Sequence, residues 1–142
     1  MIKKQVGHVI KLFISKEEKS KISLDKYGVI KDKFYAKNQN RSVLIASQDS
    51  YNLALNSNII IDSGSLGENI LLNYNPYSLS IGSKLYIGEV ILEITQHCTI
   101  CNSLTKLNKD LPILLKNDRG IFSKIIQSGN IKVDDKVWIG DI

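Results

Sequence analysis

The residues best suited to covalent or metal chemistry are two cysteines three positions apart, Cys98 and Cys101, in the segment QHCTIC. A thiolate is a strong nucleophile towards sulfur and a soft ligand for metals. A cysteine beside an apolar neighbour such as Ile100 is otherwise most often a buried filler. Cys98 carries three readings: a dithiol partner that releases or protects bound sulfur by closing to a disulfide, half of a zinc site, or a structural bystander. The zinc reading has no second cysteine pair to complete it, and His97 alone is a poor complement. A secreted disulfide framework would spread more cysteines along the chain, so the thiols are expected to be reduced.

Other candidates are polar. Of 19 basic residues only Arg41 and Arg119 are arginines. Where lysine serves so generally, an arginine suggests use of its planar fork on phosphate or carboxylate, the plainer alternative being a surface salt bridge. Gly67, Glu68 and Asn69 stand where a flexible turn enters a strand. Glu68 could there orient a base or a water and Asn69 could hydrogen-bond a heterocycle, unless both simply cap backbone groups. Gln96 precedes the cysteines and could donate or accept in the same place. Of the two histidines, His8 reads as structural, while His97 adjoins the thiols and could lower their pKa. The sequence contains no P-loop, dinucleotide glycine fingerprint or H-E-x-x-H helix, so ATP hydrolysis, nicotinamide binding and zinc proteolysis are unsupported.

The elements that must position these residues are short. The chain has 142 residues, 43% hydrophobic and 23% charged, the size and balance of one domain spanning 1–142. The first apolar stretch is broken by Gln5, His8 and Lys11 and lacks a cleavage site, so no signal peptide is read and a cytoplasmic location is expected. A net charge of +5 could serve nucleic acid or an anionic ligand, but the basic residues are scattered, which makes nucleic acid an unlikely partner.

Alternation around His8 to Ile14 predicts a strand. Charged residues and Gly28 make Lys16 to Lys33 a loop, followed by a strand over Arg41 to Ala46. Ser47 is a credible N-cap for a helix through Leu55. The run NIIID at 58–62 reads as a short strand, and Asn69 to Leu72 as another. Segments 80–89 and 132–141 repeat a turn-plus-strand pattern, and Val90 to Thr95 folds back as a hairpin across Gly88-Glu89. In RGIFSKIIQSG, residues Ile121, Phe122, Ile125 and Ile126 recur at helical spacing, predicting a helix from Arg119-Gly120 to Gly129. Its exposed N–H groups would favour an anion, with Arg41 converging from the neighbouring strand. Many short strands against two short helices give a mostly β (α+β) class, best fitted by a barrel with a few short helices.

The order LGENILLN, LSIGSKLYIGEVILEITQ, CTIC and DRGIFSKIIQSGNIKVDDKV resembles the MOSC family, named after the carboxyl end of molybdenum-cofactor sulfurase. The matching positions are Gly67-Glu68-Asn69, Ile81-Gly82, Thr95-Gln96, Cys101, Gly120 and Val133-Asp134-Asp135-Lys136-Val137, across about half the chain. The front half departs from the family pattern: Lys31 replaces a Gly, Phe34 stands where a His is usual, and Ser42 replaces a Gln. The resemblance implies a β-barrel in which Cys101 carries sulfur or ligates molybdenum. It further implies a site for the pterin of the molybdenum cofactor (molybdopterin) drawing on Gly67, Glu68, Asn69, Gln96, Arg119, Gly120 and Arg41. Sulfur-carrier chemistry or molybdenum-dependent reduction of N-hydroxylated compounds would follow, with a sulfur donor or a separate redox protein as partner and no membrane. The contrasting expectation is a barrel without turnover that binds an anionic partner or nucleic acid through charge.

Overall fold

The computed structural model describes residues 2–98 and 102–140. Its elements run β1 (Lys3–Ile14), β2 (Glu17–Lys19), β3 (Lys21–Asp25), β4 (Gly28–Val29), β5 (Val43–Ser47), α1 (Gln48–Asn56) and β6 (Ile70–Leu72). They continue with β7 (Lys84–Ile87), β8 (Val90–His97), α2 (Asn102–Leu107), α3 (Leu111–Leu114), β9 (Ile121–Gln127), β10 (Gly129–Lys132) and β11 (Lys136–Gly140). The class is mostly β, as the sequence implied. Among the described residues no helix is long and apolar enough to cross a membrane.

Seven strands close into a barrel in the order β11-β7-β8-β9-β5-β6-β1, with β1 returning to β11 and β2 added outside β1. β1 achieves this by serving two neighbours in succession. Residues 3–8 pair with β11 and residues 9–12 with β6, with register shifts at Gln5/Gly7 and Val9/Lys11. Irregularities of this kind bend a strand and increase its twist, which closure requires. The two repeated turn-plus-strand segments lie side by side as β7 and β11, Ile87 opposite Val137 and Leu85 opposite Ile139.

Alternate residues of each strand fill the barrel: Val9 and Leu12, Val43 and Ile45, Ile70 and Leu72, Leu92 and Ile94, Ile121 and Ile125. The intervening Phe13, Ala46 and Leu71 point outward, where Tyr51 and Ala54 of α1, Leu104 of α2 and Leu111 of α3 cover them. This double coverage explains why β5 reads as the unbroken run VLIAS, buried at every position. α1 begins as predicted, with the Ser47 hydroxyl accepting from the Asp49 amide.

Three expectations are corrected. Residues 121–127 form a strand, not a helix, at the centre of the sheet between β8 and β5. The doublet spacing of Ile121, Phe122, Ile125 and Ile126 fits either period, and the tertiary setting decides it. Ile121 and Ile125 enter the barrel, Phe122 faces the opposite side, and Ile126 is 48% exposed. Gly129 therefore starts β10 rather than ending a helix.

Residues 16–33 are not a loop. Ser15 and Lys16, both at positive φ, form a two-residue turn between paired Ile14 and Glu17, and Ile22, Leu24 and Val29 are buried while the charges face out. Finally, 58–62 is not a strand. Asn58 at φ 62° ends α1, the Ile59 amide returns to the Ala54 carbonyl, and Ile60 is exposed.

A strand at 121–127 makes a specific prediction. Ile125→Ala is expected to cost about 2–4 kcal/mol of unfolding free energy by denaturant titration, and Ile126→Ala less than about 1 kcal/mol. A helix with both on one apolar face would give similar losses.

Candidate functional site

A cavity of about 390 Å³ lies on the outer side of the barrel wall, against Leu44 of β5 and Phe122 of β9. The β1–β2 turn brings Ser15 and Lys16 to it, and the segment from Asp32 to Arg41 brings Lys33, Phe34, Lys37 and Asn38. Residues 65–69, Cys98 and Arg119 complete the lining.

Asp32 and Asn69 fasten these segments together. The Asp32 carboxylate accepts from the Ser15 amide at 2.8 Å, the Phe34 amide at 3.1 Å and the Asn69 side-chain amide at 3.2 Å. Asn69 also donates to the Phe13 carbonyl at 3.3 Å and accepts from the Leu44 amide at 3.1 Å. Its side chain is thus engaged with β1, β5 and the 32–38 segment, the backbone-capping arrangement noted as the plainer reading of the sequence.

Glu68 is 1% exposed. Its Oε2 accepts from the Tyr51 hydroxyl at 2.6 Å and the Gly64 amide at 3.2 Å, while Oε1 has no partner. Gly64 is required there, since at φ +89° a Cβ would stand 2.8 Å from the Phe13 ring. Burial pushes the Glu68 carboxyl above its ordinary range, against the lowering effects of Tyr51, Gly64 and the Arg119 charge. Burial, and then the Glu68 charge, push the Tyr51 phenol up as well.

Arg119 is 4% exposed and donates from Nη2 to the Leu66 carbonyl at 2.7 Å, yet Nε and Nη1 have no partner. A guanidinium buried with two of its nitrogens unsatisfied costs more than the roughly 1–3 kcal/mol of a neutral group. Arg119 is one of the residues that line the cavity, to which it brings its positive charge. Arg41 stands over the Phe122 ring, 4.4 Å from its centroid. Among the described residues no ion pair engages Lys16, Lys33, Lys37, Arg41 or Arg119, so cations outnumber the Asp32 and Glu68 carboxyls around the cavity.

The structure brings Arg41, Gly67, Glu68, Asn69 and Arg119 to one cavity and leaves two expected residues outside it. Gln96 is exposed, its backbone in register with Phe122, and is not part of the lining. Gly120 supports the wall from behind, because at φ +132° a Cβ would lie 2.9 Å from the Ile45 carbonyl. Since no helix begins at Arg119-Gly120, an anion there would meet the guanidinium and not a helix dipole. Cys101 lies outside the described residues.

Cys98 is buried in the lining beside Leu44 and Phe122, closer to the site than a bystander reading suggests. His97 donates from Nε2 to the Tyr77 carbonyl at 2.9 Å and stacks on the Tyr77 ring, a structural role away from the thiol. Among the described residues no three His, Cys, Asp or Glu side chains gather as a metal cluster, so the zinc reading of Cys98 has no complement there. Tyr51, Lys16, Lys37 and Phe122 were missed. Tyr51 sits 17 residues from Glu68 on a helix, with no local pattern to mark it.

A closed β-barrel with a cation-rich cavity on its wall, built around a Gly-Glu-Asn loop, defines a small barrel domain of the MOSC type. The chain belongs to the MOSC domain family, whose family model matches residues 32–138. Among solved structures it is similar to the YuaD protein of Bacillus subtilis, at 16% identity and TM-score 0.79 over 97% of both chains. It is also similar to YiiM of Escherichia coli, at 15% identity and TM-score 0.76 over 96% of this chain and 70% of that one. YiiM of Geobacillus stearothermophilus matches at 12% identity and TM-score 0.71, over 96% and 73%. These identities establish the shared fold alone. No curated protein sequence matches significantly.

The raised Glu68 carboxyl predicts a pH-dependent stability. A group whose folded pKa exceeds its unfolded value contributes stability present below the unfolded range, about pH 4, and lost as pH rises through the folded value. Glu68→Gln removes that loss. Its melting temperature should match wild type near pH 4 and exceed it as pH rises above that range, as followed by circular dichroism.

Proposed function

We propose that this chain binds the molybdenum cofactor, or a related sulfur species, in the cavity beside Arg119, with Cys101 as the metal ligand or sulfur carrier. The observation that carries the reading is Arg119, a cavity-lining residue whose buried guanidinium has two unpartnered nitrogens. The role of Cys101 rests on its position in the family pattern.

The residues present fit such a group. The anionic phosphate of a pterin cofactor suits the positive charge of Arg119, with Arg41 and the lysines at 16, 33 and 37 supplying more. Phe122 and Phe34 give the lining an apolar portion suited to a heterocycle. Gly67 and Glu68 line the cavity beside them, while Asn69 holds the loop in place. When bound, the cofactor supplies two-electron chemistry suited to removing oxygen from N-hydroxylated compounds, its electrons renewed by a separate redox protein. This chain contributes the anion site, the apolar wall and the buried carboxyl. Without the metal, the same cavity serves sulfur transfer from a donor. Reduced thiols are needed in either case, which suits the cytoplasm.

Protein purified from a host that makes the cofactor should carry molybdenum and pterin near one per chain. Cys101→Ser is expected to lose the metal, and Arg119→Gln to lose both by about tenfold or more, a loss in line with one charge-assisted hydrogen-bond pair. Wild type carrying neither defeats the cofactor reading. Retention by Cys101→Ser, combined with a steep salt dependence of partner binding, would mark a non-catalytic module for an anionic partner or nucleic acid.

A further inference from the structure

We propose that the loop closed by Tyr27 and Ala36, together with the Ser15-Lys16 turn, is the docking surface for an acidic protein, seated over the opening of the cavity. The surface is argued from its own charge and geometry, while the identification of that protein as the redox carrier rests on the reading of the preceding subsection.

Lysines that look scattered along the chain are gathered by the fold at one corner. The Ala36 amide donates to the Tyr27 carbonyl at 2.9 Å, which closes residues 27–36 into a compact loop. Turns from Val29 to Asp32, Asp32 to Tyr35 and Phe34 to Lys37 tighten it. The Lys33 amide donates to the Ser15 hydroxyl at 2.9 Å and so fastens the loop to the turn between β1 and β2. Lys16, Lys26, Lys31, Lys33 and Lys37 are all exposed there.

The acids nearby are already engaged. Asp25 accepts from the Tyr27 amide and the Tyr35 hydroxyl, and Asp32 is buried and saturated by donors. Glu17 and Glu18, which follow Lys16 in sequence, bridge to Lys19 and Lys11 instead. Among the described residues no ion pair engages the five lysines of the corner. Two of the five also stand where a side chain is strained. Lys16 at φ 70° and Lys31 at φ 75° occupy the left-handed region that glycine enters freely, so positive charge is kept at both turns at a conformational cost.

Apolar surface is interleaved with this charge. Tyr27, Ile30 and Phe34 are exposed, and the Tyr27 ring packs edge-on against Tyr35 with centroids 6.4 Å apart. The ammonium groups of Lys26 and Lys33 stand over the Tyr27 and Phe34 rings, each 5.1 Å from the centroid. Exposed aromatic side chains amid charges of one sign suit a transient interface with a partner of the opposite sign, which that field also steers. An ammonium over a ring obstructs the base stacking on which single-stranded nucleic acid relies, and hinders insertion of that ring among lipid chains. Lys16, Lys33, Phe34 and Lys37 belong both to this exposed surface and to the cavity lining, and therefore mark the opening of the cavity. A protein docked on them covers that opening, the place a redox carrier must take to serve a group bound inside.

The test titrates the full-length protein by calorimetry, at low and high salt, with two acidic carriers, a flavodoxin and a plant-type ferredoxin. Phosphatidylglycerol vesicles and a single-stranded oligothymidylate are titrated in parallel. Wild type is expected to bind a carrier, with affinity falling steeply as salt is added. Lys26→Glu combined with Lys31→Glu, both exposed and outside the cavity lining, should lower that affinity by about tenfold or more. Lys4→Glu, the same kind of charge change at the opposite end of β1, should alter it by less than about twofold. Binding of neither carrier, or equal weakening by Lys4→Glu, overturns the proposal. Tighter binding of the vesicles or the oligonucleotide, lost in the same double variant, overturns the acidic protein as occupant. Carrier binding with the expected pattern by protein that takes up no cofactor overturns the preceding reading and leaves the docking surface standing. Cofactor-loaded protein that binds neither carrier overturns the docking surface alone.

Discussion

The pairing of β1 with β11 is the constraint on which the rest depends. A sheet of short strands has two exposed edges, and only closure removes both. β1 carries that closure because it is long enough to pair with β11, β6 and β2 in succession, bending at two register shifts. The same strand then ends at the cavity. The Phe13 amide donates to the Asn69 carbonyl and its carbonyl accepts from the Asn69 side chain, and the Ser15-Lys16 turn reaches the carboxylate of Asp32. The barrel and the site are therefore held by one continuous stretch of chain.

Within that frame the cavity combines opposite electrostatic choices. Asp32 is saturated by donors and acts as a fastener, while Glu68 keeps one oxygen free and is driven towards its neutral form by burial. Arg119, which is buried just as deeply, keeps most of its fork unused. Two buried residues with unsatisfied polar atoms, both in the lining of one cavity, are a departure from the ordinary pairing of buried polar groups, and such departures concentrate at functional sites.

Much of this was legible in the sequence, and the failures have physical causes. The Gly-Glu-Asn loop and the rarity of arginine pointed to Glu68, Asn69 and Arg119 because local chemistry fixes those residue types. The Ser47 cap announced α1 for the same reason. By contrast, the doublets of 121–127 satisfy both a helical and a strand period, and only their placement between β8 and β5 decides between them. The Ser15-Lys16 turn lacked the Gly or Asn that usually signals a tight hairpin. Tyr51, Phe122 and the depth of Cys98 are products of tertiary packing, and Gln96 was placed in the site by its neighbours in sequence when its side chain faces solvent.

The most direct test of the central claim, that an anionic ligand completes Arg119, is the NMR signal of the Arg119 Nε–H. It is assigned by its loss in Arg119→Lys and compared between protein from hosts that do and do not make the molybdenum cofactor. A downfield shift and slowed exchange of that proton in the loaded protein, with Arg41 less affected, is the predicted result. An Arg119 signal identical in the two preparations, although pterin is present in one of them, would contradict the account.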